Sequence, residues 1–209
     1  MTSVRTRTRM IERLRQSGID NEAVLMAMAA VPRHIFVDEA LAHRAYDDVA
    51  LPIGEGQTIS QPYIVARMCT LAYEAPKPHQ ILEIGAGCGY QAAVLSKLFK
   101  TVYSMERIAS LVQRARHCLR ELHISNVRLR YADGSQGIAE AAPFDAIIIA
   151  AATPQVPSCL LEQLAVGGRI IFPGGAMEQT MRVIEATSDG FVEHDLEKVR
   201  FVPMLPGVA

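Results

Sequence analysis

The spacing of apolar residues changes near residue 80. Before it the pattern is helical. Residues 4–16 read as a helix ended by Ser17-Gly18. Asp20 is placed to cap a second helix that carries Val24, Leu25, Met28 and Val31 and stops at Pro32. Residues 33–61 are mixed, and Gly54-Glu55-Gly56-Gln57 reads as a loop. Ser60-Gln61-Pro62 then looks like a helix start, with Ser60 at the N-cap and proline in the first turn. That helix holds Val65, Met68, Cys69, Leu71 and Ala72, and Pro76 and Pro78 close it. Beyond residue 80, strands and helices alternate. Strands are expected at Gln80–Ile84, Thr101–Met105, Val127–Tyr131, Phe144–Ala150 and Arg169–Phe172. Helices are expected at Tyr90–Phe99, Ala109–Leu122 and Pro157–Leu164. The fourth strand is almost wholly apolar, as befits a strand covered on both faces. Asp189-Gly190 is a hairpin turn signal between Thr180–Thr187 and Phe191–Pro203. The order predicts a mostly parallel sheet that finishes in an antiparallel pair.

The first of these strands runs straight into Gly85-Ala86-Gly87-Cys88-Gly89. Glycine at every second place suits a sharp strand-to-helix turn and a close approach of backbone to ligand. Open α/β sheets bind ligands at the C-terminal ends of such strands. Nicotinamide and flavin sites use a G-x-G-x-x-G spacing that seats a pyrophosphate. Here the spacing is G-x-G-x-G, and Glu83 precedes it. A carboxylate repels a pyrophosphate and attracts an aminoalkyl sulfonium, so the loop leans toward S-adenosylmethionine. Glu106 closes the second strand, 21 residues after Gly85, where a ribose-binding acid belongs in nucleoside-binding sheets. Asp133-Gly134 follows the third strand and is placed to read an adenine edge. Each acid alone is an ordinary cap or turn residue. Three at consecutive strand ends beside such a loop form a nucleotide-like pattern.

Composition narrows the possibilities. A chain of 209 residues with 50% hydrophobic content can bury one substantial α/β core with an appendage. Net charge is −1, so no global field draws it to nucleic acid or to a membrane surface. Arg5, Arg7, Arg9, Arg13 and Arg15 crowd the start and read as a solvated helix face. The four cysteines lie 19, 30 and 41 residues apart, and the six histidines form no close pair, so neither a disulfide framework nor a metal site is expected. No leader-like apolar segment and no run of ~18 apolar residues is visible, which makes cytoplasm the expected compartment.

With these motifs in place, the chain resembles the class I S-adenosylmethionine-dependent methyltransferases, and among them the protein-L-isoaspartate O-methyltransferase family. The matching stretches are Val31-Pro32-Arg33 with Phe36-Val37, Leu51–Gly54, Gln57-Thr58-Ile59-Ser60-Gln61-Pro62-Tyr63 and Leu82–Tyr90. They continue through Met105-Glu106-Arg107, Asp133-Gly134, Pro143–Ile148 and Arg200-Phe201-Val202-Pro203. The segment 57–63 is the most specific, because many methyltransferases share the glycine loop. The resemblance implies a Rossmann-like three-layer α/β/α sandwich with a seven-stranded sheet and extra N-terminal helices. It implies one methyltransferase domain over 1–209, with 1–78 shaping an acceptor pocket and 79–209 holding the cofactor. It also implies site roles: Glu83, Gly85, Gly87 and Gly89 around the methionine part of the cofactor, Glu106 on the ribose, and Asp133 with Gly134 on the adenine. Ser60 matches the active-site serine, and Thr58, Ile59 and Val202 match positions that hold the acceptor. The implied substrates are age-damaged peptides and proteins carrying L-isoaspartyl residues, handled by a monomer without nucleic acid. Cys88 departs from the more usual serine or threonine of the loop.

The implied reaction asks little of the protein. A carboxylate with a pKa near ~4 is already ionised at neutral pH, so methylating it needs no general base. That fits a chain without an obvious histidine–acid pair, in which Ser60 has no G-x-S-x-G surroundings. Ala150-Ala151-Ala152-Thr153-Pro154 after the fourth strand lacks the polar-Pro-Pro-aromatic motif common in methylation of base amines, and no Pro-Cys pair occurs for attack on a cytosine ring. Methylation of a small-molecule carboxylate or hydroxyl stands as the alternative.

Overall fold

The computed structural model describes residues 4–76 and 78–209; residues 1–3 and 77 of the expected N-terminal part lie outside the described residues. Helices α1 (Val4–Gln16), α2 (Glu22–Ala30) and α3 (Pro62–Tyr73) come first, and β1 (Leu51–Gly54) and β2 (Gln57–Ile59) lie between the last two. Then follow β3 (Gln80–Ile84), α4 (Tyr90–Leu95), β4 (Thr101–Glu106), α5 (Ala109–Glu121), β5 (Val127–Tyr131) and β6 (Phe144–Ile149). The chain ends with α6 (Ser158–Glu162), β7 (Leu164–Gly174), β8 (Gln179–Thr187) and β9 (Gly190–Val199). The seven-stranded sheet has the order β5-β4-β3-β6-β7-β8-β9. Strands β3 to β7 are parallel, whereas β8 and β9 add antiparallel.

Side-chain alternation decides what covers each face. Ile81, Val102, Ala146, Ile148 and Ile171 point to one face and share a core with Met10, Leu14, Leu25, Met28, Met68 and Leu111 from the first helices and α5. Leu82, Tyr103, Ile147, Ile149, Ile170 and Phe172 point to the other, against Ile138 and Leu160. One layer is therefore thick, with α1 to α5. The opposite layer is thin, with α6 and short 3-10 turns.

Several local expectations shift. The cap of α2 is Asn21, whose side chain accepts from the Val24 amide at 3.2 Å, and not Asp20. Residues 54–57 are not an open loop but the tip of a hairpin, β1 pairing with β2. Glu55 and Gly56 both take left-handed φ, 53° and 68°, as the tight two-residue hairpin turn requires. Asparagine or aspartate is the usual signal at the first of those positions, and glutamate hid it; Ser110 donates to its carboxylate at 2.8 Å. The helix after the glycine loop ends at Leu95. Strand β7 begins at Leu164, five residues before Arg169, with a register shift against β6. Strand β9 ends at Val199, and the chain then leaves the sheet.

One core side chain is charged by type. Glu83, in the middle strand β3, is fully buried. Burial pushes its carboxyl up to about 8; the Ser104 hydroxyl, donating to Oε2, opposes the rise, and neighbouring Glu106 adds to it. A neutral acid is the cheaper state in such a place. Folded Glu83 thus keeps a proton up to about pH 8, whereas an unfolded glutamate loses it near pH ~4.3. Between those limits the folded state binds more protons, so stability falls as pH rises, by on the order of 1 kcal/mol per pH unit at most. Urea midpoints measured across this window should decline for the wild type and stay nearly level for Glu83→Gln. A parallel decline in both proteins would remove Glu83 as the cause.

Candidate active site

The parallel strands end at one edge, and the turns leaving that edge build a cleft. After β3, Gly85, Gly87 and Gly89 take left-handed φ of 90°, 54° and 86°, a backbone that side chains oppose. The amides of Gly85 and Ala86 both donate to the Met105 carbonyl, at 2.9 and 3.0 Å, and so fasten the loop to the end of β4. Glu106, the last residue of β4 and 6% exposed, completes the fastening. Its Oε2 accepts from the Gly87 amide at 2.8 Å and its Oε1 from the Ile108 amide at 3.0 Å.

Beyond β5, Asp133 accepts from the amides of Ser135 at 2.9 Å and Gly207 at 2.6 Å. Burial would raise its carboxyl, but these two amides outweigh it and hold the group below its ordinary value. Gly134 packs against β3 so closely that a Cβ there would lie 2.3 Å from Ile84 Cγ2. Past β9, the chain crosses to the end of β6. The Ala152 amide donates to the Val202 carbonyl at 2.8 Å, and the Met204 amide to the Ala152 carbonyl at 2.8 Å. The stretch Val202–Leu205 thereby becomes one wall of the cleft.

The cleft joins Gly85, Gly87, Glu106 and Gly134 with Thr58 and Val202. A second, open groove runs along Ser60, Gln61, Ile64, Arg200 and Phe201. Thr58, Ala150 and Val202 line both cavities, so the two meet there. A small chamber with Ile59, Ser60, Cys88, Tyr90 and Gln91 on its walls adjoins the same point. Burial keeps the Cys88 thiol protonated by raising it to about 11, and Tyr90 likewise to about 12.

Three of the sequence-derived site residues stand off the wall. Glu83 is inside the core, Gly89 backs onto α5 near Ala115, and Asp133 turns toward the amides of Ser135 and Gly207. Ser60 is close by but is not the helix cap. The N-cap of α3 is Gln61, without a side-chain cap, and the Tyr63 amide is satisfied instead by Asp48 at 2.8 Å. With the cap supplied from 15 residues away, the Ser60 hydroxyl is not needed at the helix start, and it makes no hydrogen bond among the described residues. Sequence reasoning missed Ala150 as a wall residue, although it was detectable as the end of a buried parallel strand.

Comparison with known proteins agrees with this geometry. The family model described as protein-L-isoaspartate(D-aspartate) O-methyltransferase matches residues 5–208. The chain is 60% identical over 208 residues to the protein-L-isoaspartate O-methyltransferase of Dechloromonas aromatica, covering 99% of this chain and 96% of the relative. It is 58% identical to protein-L-isoaspartate O-methyltransferase 2 of Nitrosospira multiformis, covering 100% and 99%. Among solved structures, a protein-L-isoaspartate O-methyltransferase superposes with a TM-score of 0.85 at 27% identity over 94% of this chain and 65% of the longer one. A Plasmodium falciparum structure titled as a putative enzyme of this kind in complex with S-adenosyl-L-homocysteine gives 0.82 at 25% identity, covering 94% and 96%. Cleft, loop and full-length similarity converge: the chain belongs to the protein-L-isoaspartate(D-aspartate) O-methyltransferase family.

Proposed function

We propose that this chain transfers a methyl group from S-adenosylmethionine to the free α-carboxylate of L-isoaspartyl residues in damaged peptides and proteins. The observation that carries the reading is the meeting of cleft and groove at Thr58, Ala150 and Val202, with Ser60 on the groove side. A cofactor in the cleft and a chain-like acceptor in the adjoining groove need that arrangement. A small-molecule acceptor has no use for the groove.

The residues present suit the cofactor. Gly85, Gly87 and Gly134 present backbone without side chains to the cleft, and Glu106 retains lone pairs for hydroxyl donors beyond its two amides. When bound, S-adenosylmethionine supplies a methyl on a positively charged sulfur. We assign Glu106 to the ribose hydroxyls, Gly134 to the adenine edge with Asp133 holding that turn in place through the Ser135 and Gly207 amides, and Gly85 with Gly87 to the methionine part. Gly89 gives the loop its closing turn, and Glu83 braces it from within. Ser60, with its hydroxyl uncommitted, orients the acceptor carboxylate. Thr58, Ile59 and Val202 hold the acceptor backbone. Alignment is the main catalytic task, because the acceptor is already ionised and near-attack positioning alone supplies several kcal/mol.

The product ester carries a better leaving group than the carboxylate. The following backbone amide nitrogen can then attack the ester carbonyl, expel methanol and close a succinimide, whose hydrolysis yields some normal aspartate. We take the chain to act as one methyltransferase unit and as a monomer, in the cytoplasm and apart from nucleic acid. The net charge of −1 and four free cysteines support the last two points. No described helix is long and apolar enough to cross a membrane.

The direct test is methyl transfer to twin peptides, one with L-isoaspartate and one with L-aspartate at the same position. Base-labile label should appear on the isoaspartyl twin alone; equal labelling of both, or of neither, would refute the reading. Glu106→Ala should weaken binding of S-adenosylhomocysteine by ~1–3 kcal/mol in calorimetry, through loss of charged hydrogen bonds and of the loop's fastening. Ser60→Ala should lower turnover on the order of tenfold or more while cofactor affinity stays within about twofold. Full turnover in that variant would leave Ser60 with no part in the chemistry.

A further inference from the structure

Arg33 is the largest fully buried side chain, at 0% exposure. An arginine there is expensive unless its charge is compensated, yet among the described residues no carboxylate forms an ion pair with it. It is held instead by carbonyls and a ring. Its Nε donates to the Ala45 carbonyl at 2.8 Å and its Nη2 to the Ser60 carbonyl at 2.6 Å. The guanidinium lies 4.7 Å from the centroid of the Tyr90 ring, at the start of α4. One side chain thus links the acceptor edge at Ser60 to the end of the glycine loop. Among the described residues neither its Nη1 nor the Tyr90 hydroxyl has a well-formed hydrogen bond, and the two side chains lie close enough to interact with each other. Tyr90 and Ser60 both face the small chamber where cleft and groove meet.

We infer that Arg33 is the positioning residue of the acceptor pocket: it fixes the Ser60 backbone, and its buried positive charge, in no ion pair, favours an ionised acceptor carboxylate. The inference rests on the reading of that pocket as the acceptor site. Guanidinium stays charged in proteins. Tyr90, Cys88 and Asp48 are the titratable groups around it, and none of them forms an ion pair with it. Tyr90 and Cys88 stay neutral by burial, and Asp48 is exposed and engaged with the Tyr63 amide. On the solvent side of the groove, Lys198 is paired with Glu178, and Arg200 is exposed. The guanidinium therefore lies behind the Ser60–Tyr90 side of the chamber, and its charge acts on an acceptor carboxylate through that wall.

The test compares wild type, Arg33→Lys and Arg33→Gln for methylation of an isoaspartyl peptide over pH. The acid limb of kcat reports the acceptor's ionisation in the bound complex. In Arg33→Gln that limb should move to higher pH, with a raised KM for peptide and an unchanged Kd for S-adenosylhomocysteine. Arg33→Lys should keep the wild-type limb but lose kcat on the order of tenfold, because an ammonium cannot hold both carbonyls and the ring. An equal fall at every pH in both variants would reduce Arg33 to a folding role and overturn the inference. If the glutamine variant does not fold, Arg33→Lys decides alone: wild-type kcat, or a displaced limb, overturns it. Absence of methylation by the wild type would instead refute the functional reading itself.

Discussion

The hydrogen bond from the Gly87 amide to the Glu106 carboxylate is the contact on which the site depends. It joins the apex of the glycine loop to the end of the next strand, 2.8 Å apart, and the second oxygen of the same carboxylate holds the start of the following turn through the Ile108 amide. A loop of alternating left-handed glycines has little rigidity of its own. Anchored by an acid and by the Met105 carbonyl, it presents a fixed shape before any ligand arrives. Preorganisation of this kind lowers the cost of ordering the site on binding.

The thick helical layer on one face of the sheet serves the second half of the site. Helices α1 to α3 complete the core, and the chain between α2 and α3 forms the β1–β2 hairpin that delivers Thr58, Ile59 and Ser60 to the sheet edge. Asp48 takes over the helix-capping work that local sequence gives to Ser60, which leaves that hydroxyl free. On the far side, the register of β9 ends at Val199, and the departing chain bridges Ala152 and brings Val202 to the cavity that Thr58 also lines. Two segments almost 150 residues apart in sequence thus form the junction of cleft and groove.

What could be read in advance follows from how local each constraint is. The places of Glu106 and Asp133 at strand ends were legible because parallel strands end on one edge, but the turn of the Asp133 carboxylate toward the Ser135 and Gly207 amides was not. The glycine loop was legible because backbone strain permits few other residues. The buried alternation of β3, β6 and β7 fixed the sheet. The β1–β2 hairpin was not legible, since Glu55 stands where asparagine or aspartate normally marks the turn. The true cap of α3 was not legible either, because its acceptor comes from Asp48, outside the helix. The inward position of Glu83 follows from strand alternation but is masked by its charge, which suggests a ligand contact where the fold supplies a buried, neutral acid.

The central claim is that the carboxylate of Glu106 shapes the loop in the absence of ligand. Amide hydrogen exchange of Gly87, followed by NMR in the cofactor-free protein and in Glu106→Ala, tests it directly. The account predicts a protected Gly87 amide in the wild type and fast exchange in the variant, with the core amides of β3 unchanged. Fast exchange of Gly87 in the wild type would show an unfastened loop that takes its shape only on binding, and would contradict the account.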